Sequence, residues 1–462
     1  MTTDLAPARA PHDADYATGI VPLAERKGPL FMGLLWITMV TGLSTLSLGV
    51  GFYQKGLTLV QTLQGCLGGA LMLLCYTTGA AYLGAKTGQT YALLTRTIFG
   101  RLGSYVVSAI MVVISLGWYG FQAEFLAKLL DPLLGFGGHL LVPTIVCAVL
   151  MGVTNYFGFT GVAGYARFVA APVLLVLVLY TVCKAFGSAP PEILWGPSHA
   201  PVTTTVLAAA GVVMGFGIWG NEPDFWRFGR PRFSQPILPL GLAMALGLVL
   251  FPAAGWALAA IGGAFDEGSS AAFLTRFALG GMTLLGVAVF AIAQVSNNDP
   301  NLYEAVNAFE NVTQWPRRPV VLLLWLLGIG TAVMLSRLTD ALFLVSGITS
   351  VLVPTATVLM MAEVFWVPRW FGLQRPVDWV PTWKETAWAN WPAIFALVVG
   401  ALVGVYTNGT FSGFGPGFVG IPPLQAWGAA LVVYLGSLAL LKRHAGLFGL
   451  PERSGPPSNQ NA

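Results

Sequence analysis

The sequence predicts an all-α membrane protein of twelve transmembrane helices, ten of them in a 5+5 inverted repeat and two more at the C-terminal end. Three observations predict it. Hydrophobic residues make up 56% of the chain, charged residues only 9%, and the mean hydropathy is +0.73, which is more apolar surface than a soluble core can bury. Twelve apolar stretches are long enough to cross a bilayer, and the first and sixth are interrupted by glycines and polar residues.

The predicted spans each hold roughly twenty residues or more, enough helix to cross about 30 Å of hydrocarbon. They cover 30–52, 58–83, 104–130, 140–158, 166–186, 205–226, 236–262, 281–307, 319–337, 341–364, 391–408 and 424–441. The expected organisation is an N-terminal tail (1–28), a ten-helix core (29–365), a linker (366–390), helices 11 and 12 (391–441) and a C-terminal tail (442–462).

Basic residues predict which side of the membrane each loop faces. If both termini are cytoplasmic, 18 of the 23 lysines and arginines lie in inside segments, which agrees with the positive-inside rule. The remaining five are Lys55, Lys128, Lys184, Arg276 and Arg337. We therefore expect a multi-pass protein of the inner (plasma) membrane with both termini in the cytoplasm. The net charge of +4 reflects this topology, so no nucleic-acid partner is expected.

Short loops leave no room for a catalytic domain, and no catalytic triad, metal cluster or phosphate loop stands out. The sequence therefore favours a transporter over an enzyme and predicts no cofactor. The segment "GFGIWG" (215–220) matches G-x-G-x-x-G, but no strand precedes it. Inside a membrane span, its glycines instead predict a break in the helix.

Four unusual segments lie at the midpoints of predicted spans one, three, six and eight. They are "TGLSTLSLG" (41–49), "SLGWYGFQ" (115–122), "MGFG" (214–217) and "QVSNNDPNLYE" (294–304). Interrupted helices five spans apart are typical of an inverted repeat with substrate and coupling ion bound at the midplane. For each segment alone, close packing between helices is the alternative.

Two of these segments suggest specific roles. Trp118 and Gln122 are four residues apart on one helix face, where an indole stacks on a flat ligand and an amide reads its donors and acceptors. Ser115 begins the same segment and is a further candidate. Phe216 is expected to close the stack from the opposite side. Glu124 and Lys128, also four apart, are expected to form an ion pair.

In the eighth span, Asp299 and Pro300 would normally end a helix. Leu302, Val306 and Phe309 nevertheless continue the helical spacing after them. The helix is therefore predicted to resume, which places 294–298 within the membrane rather than in a loop.

The motifs "AYLGAKTGQTYALLTRTIFG" (81–100), "GWYGFQ" (117–122), "NEPDFWRFGR" (221–230) and "NNDPNLY" (297–303) resemble the nucleobase:cation symporter-1 family. That family includes cytosine permeases and a bacterial hydantoin transporter, and the resemblance extends from about residue 30 to 365. It implies a LeuT-like fold with discontinuous helices 1 and 6. It also implies a substrate held between aromatic side chains of the third and sixth helices.

The resemblance also implies individual substrate-binding residues. Trp118 and Gln122 match the family's tryptophan and the glutamine one turn later, and Asn298 matches a substrate-reading asparagine. The position of the sixth-helix aromatic falls on Gly215. Phe216 next to it is therefore the preferred candidate, with Trp219 in reserve.

A sodium site is implied as well. It would use a carbonyl of Ala293, the side chains at Ser296 and Asn297, and first-helix carbonyls near Met39 and Leu43. Asn297 is a departure, because the family has a hydroxyl at this position. A carboxamide oxygen can ligate a hard cation, but the side chain is longer, so Na⁺ and H⁺ both stay open as the coupling ion.

The expected function is a monomeric secondary active transporter that imports a small planar heterocycle of cytosine, purine or hydantoin type by cation symport. Alternating access within the lipid bilayer is the expected mechanism. The alternatives are a proton-coupled or passive carrier for allantoin or a vitamin-precursor pyrimidine, and a non-transporting membrane sensor on the same fold. The sequence does not choose among the rings.

Overall fold

The computed structural model describes residues 15–263, 267–336, 341–409, 419–441 and 443–449. Across these ranges every regular element is helical, apart from one isolated bridge between Lys27 and Gly229. Large parts of the two predicted tails (1–14 and 450–462) lie outside the described residues, as does Arg337 of the charge pattern.

Nineteen α-helices follow one another within these described ranges. The first ten are α1 (Pro29–Val40), α2 (Leu43–Gln54), α3 (Leu59–Thr87), α4 (Tyr91–Leu134), α5 (Leu141–Met151), α6 (Gly158–Tyr165), α7 (Ala171–Ser188), α8 (Pro191–Trp195), α9 (Val206–Gly215) and α10 (Glu222–Trp226). The others are α11 (Ile237–Met244), α12 (Phe251–Gly262), α13 (Glu267–Ala278), α14 (Thr283–Thr313), α15 (Arg317–Leu335), α16 (Ala341–Met361), α17 (Val367–Phe371), α18 (Trp391–Asn408) and α19 (Pro422–Leu441). One π-helical turn joins each of the pairs α6–α7, α11–α12 and α16–α17.

The first predicted span is broken at its midpoint. Helix α1 ends at Val40, Thr41 and Gly42 are extended, and α2 begins at Leu43 with its axis bent by 49° from that of α1. A helix end leaves backbone N–H and C=O groups without intrahelical partners. The break therefore presents free backbone groups inside the bundle, as the sequence predicted.

The sixth predicted span is broken at "GFGIWG". Helix α9 ends at Gly215 and α10 begins at Glu222. Gly217 and Gly220 adopt φ values of 101° and 102°, which a residue with a side chain rarely adopts. A Cβ atom on Gly220 would also lie 3.0 Å from the backbone of Pro354. The glycines thus permit both the turn and the close approach of α16.

Helix packing agrees with an inverted repeat. The broken first span packs on the seventh, with α1 against α11 and α2 against α12. The broken sixth span packs on the second, with α9 and α10 against α3. An inverted repeat relates span one to span six and span two to span seven, so the contact between spans one and seven corresponds to the contact between spans six and two. In addition, α14 of the eighth span lies along α4 of the third span. These contacts confirm the predicted relation between the two halves.

In the part of the chain that the structure describes, eight helices are long and apolar enough to cross a membrane, or ten if each of two bent pairs counts as one span. The apolar run Leu141–Ser188 is counted as one of these helices. As a continuous helix its 48 residues would be about 72 Å long, which is roughly twice the hydrocarbon thickness. Its backbone leaves helical geometry at Gly158 (φ 64°). The count of twelve stays a prediction.

Helix α14 runs from Thr283 to Thr313 with Pro300 inside it. The prediction that the eighth helix resumes after Asp299 and Pro300 is thus confirmed. The residues between 294 and 304 form successive turns of one long helix, so their side chains project in fixed directions toward α1, α4 and α10.

Candidate substrate-binding site

A cavity lies where the two helix breaks face α4 and α14. It is lined by Trp36, Met39, Val40, Ser44, Thr45, Trp118, Gln122, Phe216, Gly217, Ile218, Trp219, Asn221, Leu248, Asn297, Pro300, Asn301 and Glu304. The cavity therefore collects six of the twelve residues that the sequence predicted to bind substrate or ion.

Four aromatic rings form the apolar walls of the cavity. Trp118 and Phe216 meet edge to face, with centroids 6.2 Å apart and planes at 74°. Trp36 and Trp219 are nearly parallel at 15°, with centroids 6.5 Å apart. The indole of Trp118 is anchored, because its Nε1 donates to Thr349 Oγ1 at 2.9 Å. A flat ligand thus meets aromatic surfaces that are held in place.

Amides and one carboxyl group form the polar wall. Gln122 Nε2 donates to Asn297 Oδ1 at 2.7 Å, and Asn221 Nδ2 donates to Glu304 Oε1. Asn221 Oδ1 and Glu304 Oε2 are buried oxygens without a hydrogen-bond partner. Among the described residues that line the cavity, Glu304 is the sole ionisable side chain. The wall therefore offers acceptors to ligand N–H groups and no positive charge to a ligand anion.

Three predicted substrate residues do not line this cavity. The Nδ2 of Asn298 donates to the Tyr119 carbonyl at 3.1 Å and to Met151 Sδ at 2.9 Å. The Ser115 hydroxyl donates to Met111 Sδ, one turn earlier in the same helix. Gly215 lies against α16, where an added Cβ would be 3.2 Å from the Cβ of Ser350.

The physical reason is helix rotation. Successive residues of an α-helix point about 100° apart, so when Asn297 faces the cavity, Asn298 faces α4 and α5. Asn298 Oδ1 instead accepts a hydrogen bond of 2.8 Å from Asn301 Nδ2, and Asn301 is in the cavity wall. The structure thus corrects the position of Asn298 from direct contact to support of a neighbouring amide.

The predicted ion-binding residues meet at the break of the first span. Met39 and Asn297 line the cavity, and Asn297 Nδ2 donates to the Met39 carbonyl at 2.8 Å. Leu43 presents its N–H, which donates to Gln294 Oε1 at 3.1 Å. Ala293 is buried, and the Ser296 hydroxyl is buried without a hydrogen-bond partner. The predicted ligand groups are therefore adjacent, but Asn297 and Met39 are hydrogen-bonded to each other and Leu43 is hydrogen-bonded to Gln294.

The lining residues that sequence reasoning did not predict include Trp36, Asn221, Asn301 and Glu304. A signal existed for two of them. Asn301 follows Asn297 by four residues and Glu304 follows by three more, so the three share one helix face. An acid inside a predicted span is also a functional candidate by itself. Trp36 and Asn221 join the site through the fold of the two breaks.

The predicted ion pair between Glu124 and Lys128 is present, with Lys128 Nζ 2.7 Å from Glu124 Oε1. Asp224 and Arg227 lie three residues apart in the broken sixth span. Arg227 Nε donates to the backbone carbonyl of Asp224 at 3.0 Å, while the Asp224 carboxylate accepts from Asn307 Nδ2 at 3.1 Å. Their link is therefore through the backbone.

A polar cluster outside the cavity ties down the segment before α1. Asp15 accepts from the N–H of Phe159 at 2.8 Å and forms an ion pair with Arg317 Nε at 2.8 Å. Arg317 also pairs with Glu310, with Nη1 3.0 Å from Oε2. Arg227 Nη1 donates to the carbonyl of Tyr16 at 2.6 Å. The segment thus holds α6, α10, α14 and α15 together at one end of the bundle.

Comparison with known proteins identifies the family of the chain. Residues 21–426 match the family described as "Permease for cytosine/purines, uracil, thiamine, allantoin". The cytosine permease of Escherichia coli strain K12 is 30% identical over 306 residues, which cover 65% of this chain and 70% of that protein. The hydantoin permease of Microbacterium maritypicum is 29% identical over 167 residues, 34% of this chain and 33% of that protein.

Solved structures share the fold. Mhp1, a nucleobase-cation-symport-1 family transporter in a closed conformation with bromovinylhydantoin bound, has a TM-score of 0.73 at 18% identity, covering 95% of this chain and 97% of its own. A Na⁺-coupled sialic acid symporter has a TM-score of 0.66 at 12% identity, covering 94% and 93%. The chain therefore belongs to the nucleobase:cation symporter-1 family, with its LeuT-like fold, and is a nucleobase-type transporter rather than an enzyme.

Proposed function

We propose that this chain imports a neutral, planar heterocycle of the cytosine, purine or hydantoin type by cation symport, through alternating access. The observation that carries the proposal is the cavity between the two helix breaks, where four aromatic rings face amides and a single carboxyl group. The family description and two relatives, a cytosine permease and a hydantoin permease, support the same class of substrate.

The chemistry of the wall favours such a ring. Stacking of a base on an aromatic side chain contributes about 1–3 kcal/mol and tolerates different bases. Amide groups offer both donors and acceptors at the ring edge. A substrate with a carboxylate would need a positive partner, and the described lining residues include no lysine, arginine or histidine.

Six of the lining residues have a proposed role. The Trp118 indole provides the stacking face, and Phe216 and Trp219 on the broken sixth span close over the ring. Gln122 and Asn301 read its polar edge, while Asn298 orients Asn301 through their hydrogen bond. The unpaired oxygen of Glu304 accepts a ring N–H.

The coupling cation is proposed to be sodium or a proton, since Na⁺-coupled transporters share the fold. We place both termini in the cytoplasm and the protein in the inner membrane as a monomer. The asymmetry of basic residues supports this orientation. In that orientation the Asp15 cluster closes the cytoplasmic end of the bundle.

Uptake into membrane vesicles tests the proposal. Labelled cytosine, uracil, adenine, hydantoin, allantoin and hydroxymethylpyrimidine are offered with inward sodium, proton or no gradient. Accumulation above equilibrium of at least one ring is expected, and uptake of none of them would refute the transport function in favour of a sensor. Accumulation that only reaches equilibrium would indicate a passive carrier.

Substitution of the stacking residue tests the site itself. Trp118→Ala should weaken ring binding by about 1–3 kcal/mol, because the stacking face is removed. Trp118→Phe keeps an aromatic face while losing the bond to Thr349, and should retain part of the affinity. Binding is read from tryptophan fluorescence of the purified protein, and unchanged affinity in Trp118→Ala would show that the ring stacks elsewhere.

A further inference from the structure

Three carboxamides are linked head to tail beside the break of the first span. The N–H of Leu43 donates to Gln294 Oε1 (3.1 Å), and Gln294 Nε2 donates to Gln122 Oε1 (2.7 Å). Gln122 Nε2 then donates to Asn297 Oδ1 (2.7 Å), and Asn297 Nδ2 donates to the carbonyl of Met39 (2.8 Å). We call these three side chains the amide chain. It runs from the start of α2, through α14 and α4, to the last turn of α1.

The direction of the amide chain is fixed by the backbone at both ends. The N–H of Leu43 can only donate, and the carbonyl of Met39 can only accept. Turning any one amide round would place two NH₂ groups or two oxygens against each other. The observed orientation of Gln122, Gln294 and Asn297 is therefore the one that satisfies all four hydrogen bonds.

The last amide of the chain fills the break itself. A Cβ atom on Gly42, the residue between the two half-helices, would lie 2.9 Å from Asn297 Cγ. The carboxamide thus packs directly against the extended backbone between α1 and α2. It contacts both the eighth span, to which it belongs, and the free carbonyl end of α1.

These groups do not fit the sodium ion that the fold family implies. A hard cation needs oxygen lone pairs directed at it. The Met39 carbonyl accepts from the NH₂ group of Asn297, the Leu43 carbonyl accepts from the Ser47 hydroxyl at 3.4 Å, and the Asn297 oxygen accepts from Gln122. The Ser296 hydroxyl is buried without a hydrogen-bond partner and is one remaining ligand. Turning the Asn297 amide round would break two hydrogen bonds and place its NH₂ group against that of Gln122.

We infer that the amide chain takes the structural place of a coupling sodium ion between the first and eighth spans, so that this transporter does not use sodium. Asn297 is the residue that determines this, because its NH₂ group occupies the position from which a cation would contact the Met39 carbonyl. The transport part of the inference rests on the proposed function. The part that concerns sodium binding stands without it.

The melting temperature (Tm) of the purified protein in detergent tests sodium binding directly, because a ligand that binds only the folded state raises Tm. Sodium chloride is compared with choline chloride and potassium chloride at equal ionic strength. The wild-type protein should show the same Tm in all three salts. A rise in Tm specific to sodium would overturn the inference, whatever the variants do.

Removing the terminal amide should create the site. In Asn297→Ser, the Met39 carbonyl loses its donor and a hydroxyl joins that of Ser296, so a Tm rise specific to sodium is expected. Asn301→Ser is the matched control on the same helix, since its amide bonds Asn298 rather than the first span, and no sodium response is expected. A folded Asn297→Ser protein without a sodium response would also overturn the inference.

Uptake separates this inference from the proposed function. Initial uptake of the best-transported ring into vesicles should be equal in sodium and choline media at matched pH and membrane potential. Uptake that requires sodium refutes the inference while supporting ring transport. If no ring is taken up in any medium, the proposed function fails, and the Tm comparison still decides whether sodium binds.

Discussion

Replacing Gly42 by alanine perturbs the amide chain without removing any of its members. Gly42 has φ −120° and ψ 165°, an extended conformation open to any residue. Alanine therefore brings no backbone strain, and its effect comes from the new methyl group. That Cβ atom would lie 2.9 Å from Asn297 Cγ and 3.0 Å from Asn297 Oδ1, so the Asn297 side chain must withdraw.

Withdrawal of Asn297 breaks two hydrogen bonds, one from Gln122 Nε2 and one to the Met39 carbonyl. A typical hydrogen bond contributes about 0.5–1.5 kcal/mol net, so the loss is about 1–3 kcal/mol. Because Gln122 also faces the substrate cavity, its release should lower ring affinity. The two bonds stabilise the folded protein with or without the ring, so their loss lowers stability by this amount and limits the loss of ring affinity to roughly 150-fold.

Ring affinity is measured by tryptophan fluorescence of the purified protein, with Tm measured alongside. Gly42→Ala should lower both. Gly51→Ala in α2 is the matched control, because a Cβ there meets nothing within 4 Å. Replacing a glycine inside a helix without a clash stabilises by about 0.4–1 kcal/mol, so the control should keep its affinity and melt no lower than wild type.

A double-mutant cycle decides whether the clash is with Asn297. Asn297→Ala removes the atoms that the new methyl group would touch, so Gly42→Ala should cost little in that background. If Gly42→Ala costs as much there as in the wild type, the contact with Asn297 is not the cause. The reasoning about the amide chain would then be refuted.

Two further predictions concern carboxyl groups. Glu304→Gln keeps an acceptor for Asn221 but replaces the oxygen proposed to accept a ring N–H with an NH₂ group and removes the ionisable group of the wall, so it should weaken ring binding and abolish accumulation driven by a proton gradient; ring binding and accumulation at the wild-type level would exclude both roles for Glu304. Asp15→Asn removes a buried charge that pairs with Arg317 and should lower stability by about 1.5–3 kcal/mol, seen as a lower Tm. Glu25→Gln in the same segment is exposed and should leave Tm unchanged, and equal Tm values for both variants would contradict a structural role for the segment.

Local signals in the sequence were sufficient for several features. Glycines at 215–220 and the polar run after residue 41 predicted the two breaks, because both interrupt the backbone within a few residues. Spacing after Pro300 predicted the long eighth helix. The four-residue separation of Trp118 and Gln122 predicted that both would face one site, and both line the cavity.

Other features depended on helix rotation, which a single sequence specifies poorly. Asn297 and Asn298 are adjacent and chemically identical, yet one faces the cavity and the other faces α4 and α5. Trp118 and Phe216 were both identified, but their edge-to-face angle follows from the anchor at Thr349 and the turn after Gly215. The number of spans also stays a prediction. Some apolar stretches form two helices with a break between them, and one helical run is long enough for two crossings.

By itself, the sequence determined that this chain is a helical membrane protein with broken first and sixth spans, and it predicted an aromatic and amide site at mid-depth. Hydropathy, the positions of glycines and the spacing of residues along a helix are properties of short stretches. They can therefore be recognised without knowing which helices pack together. Only the tertiary structure decided which atoms those amides bond. Gln122, Gln294 and Asn297 come from two distant helices and meet a third at its break. The direction of each hydrogen bond depends on the partner atom on the neighbouring helix, and that partner is far away in the sequence.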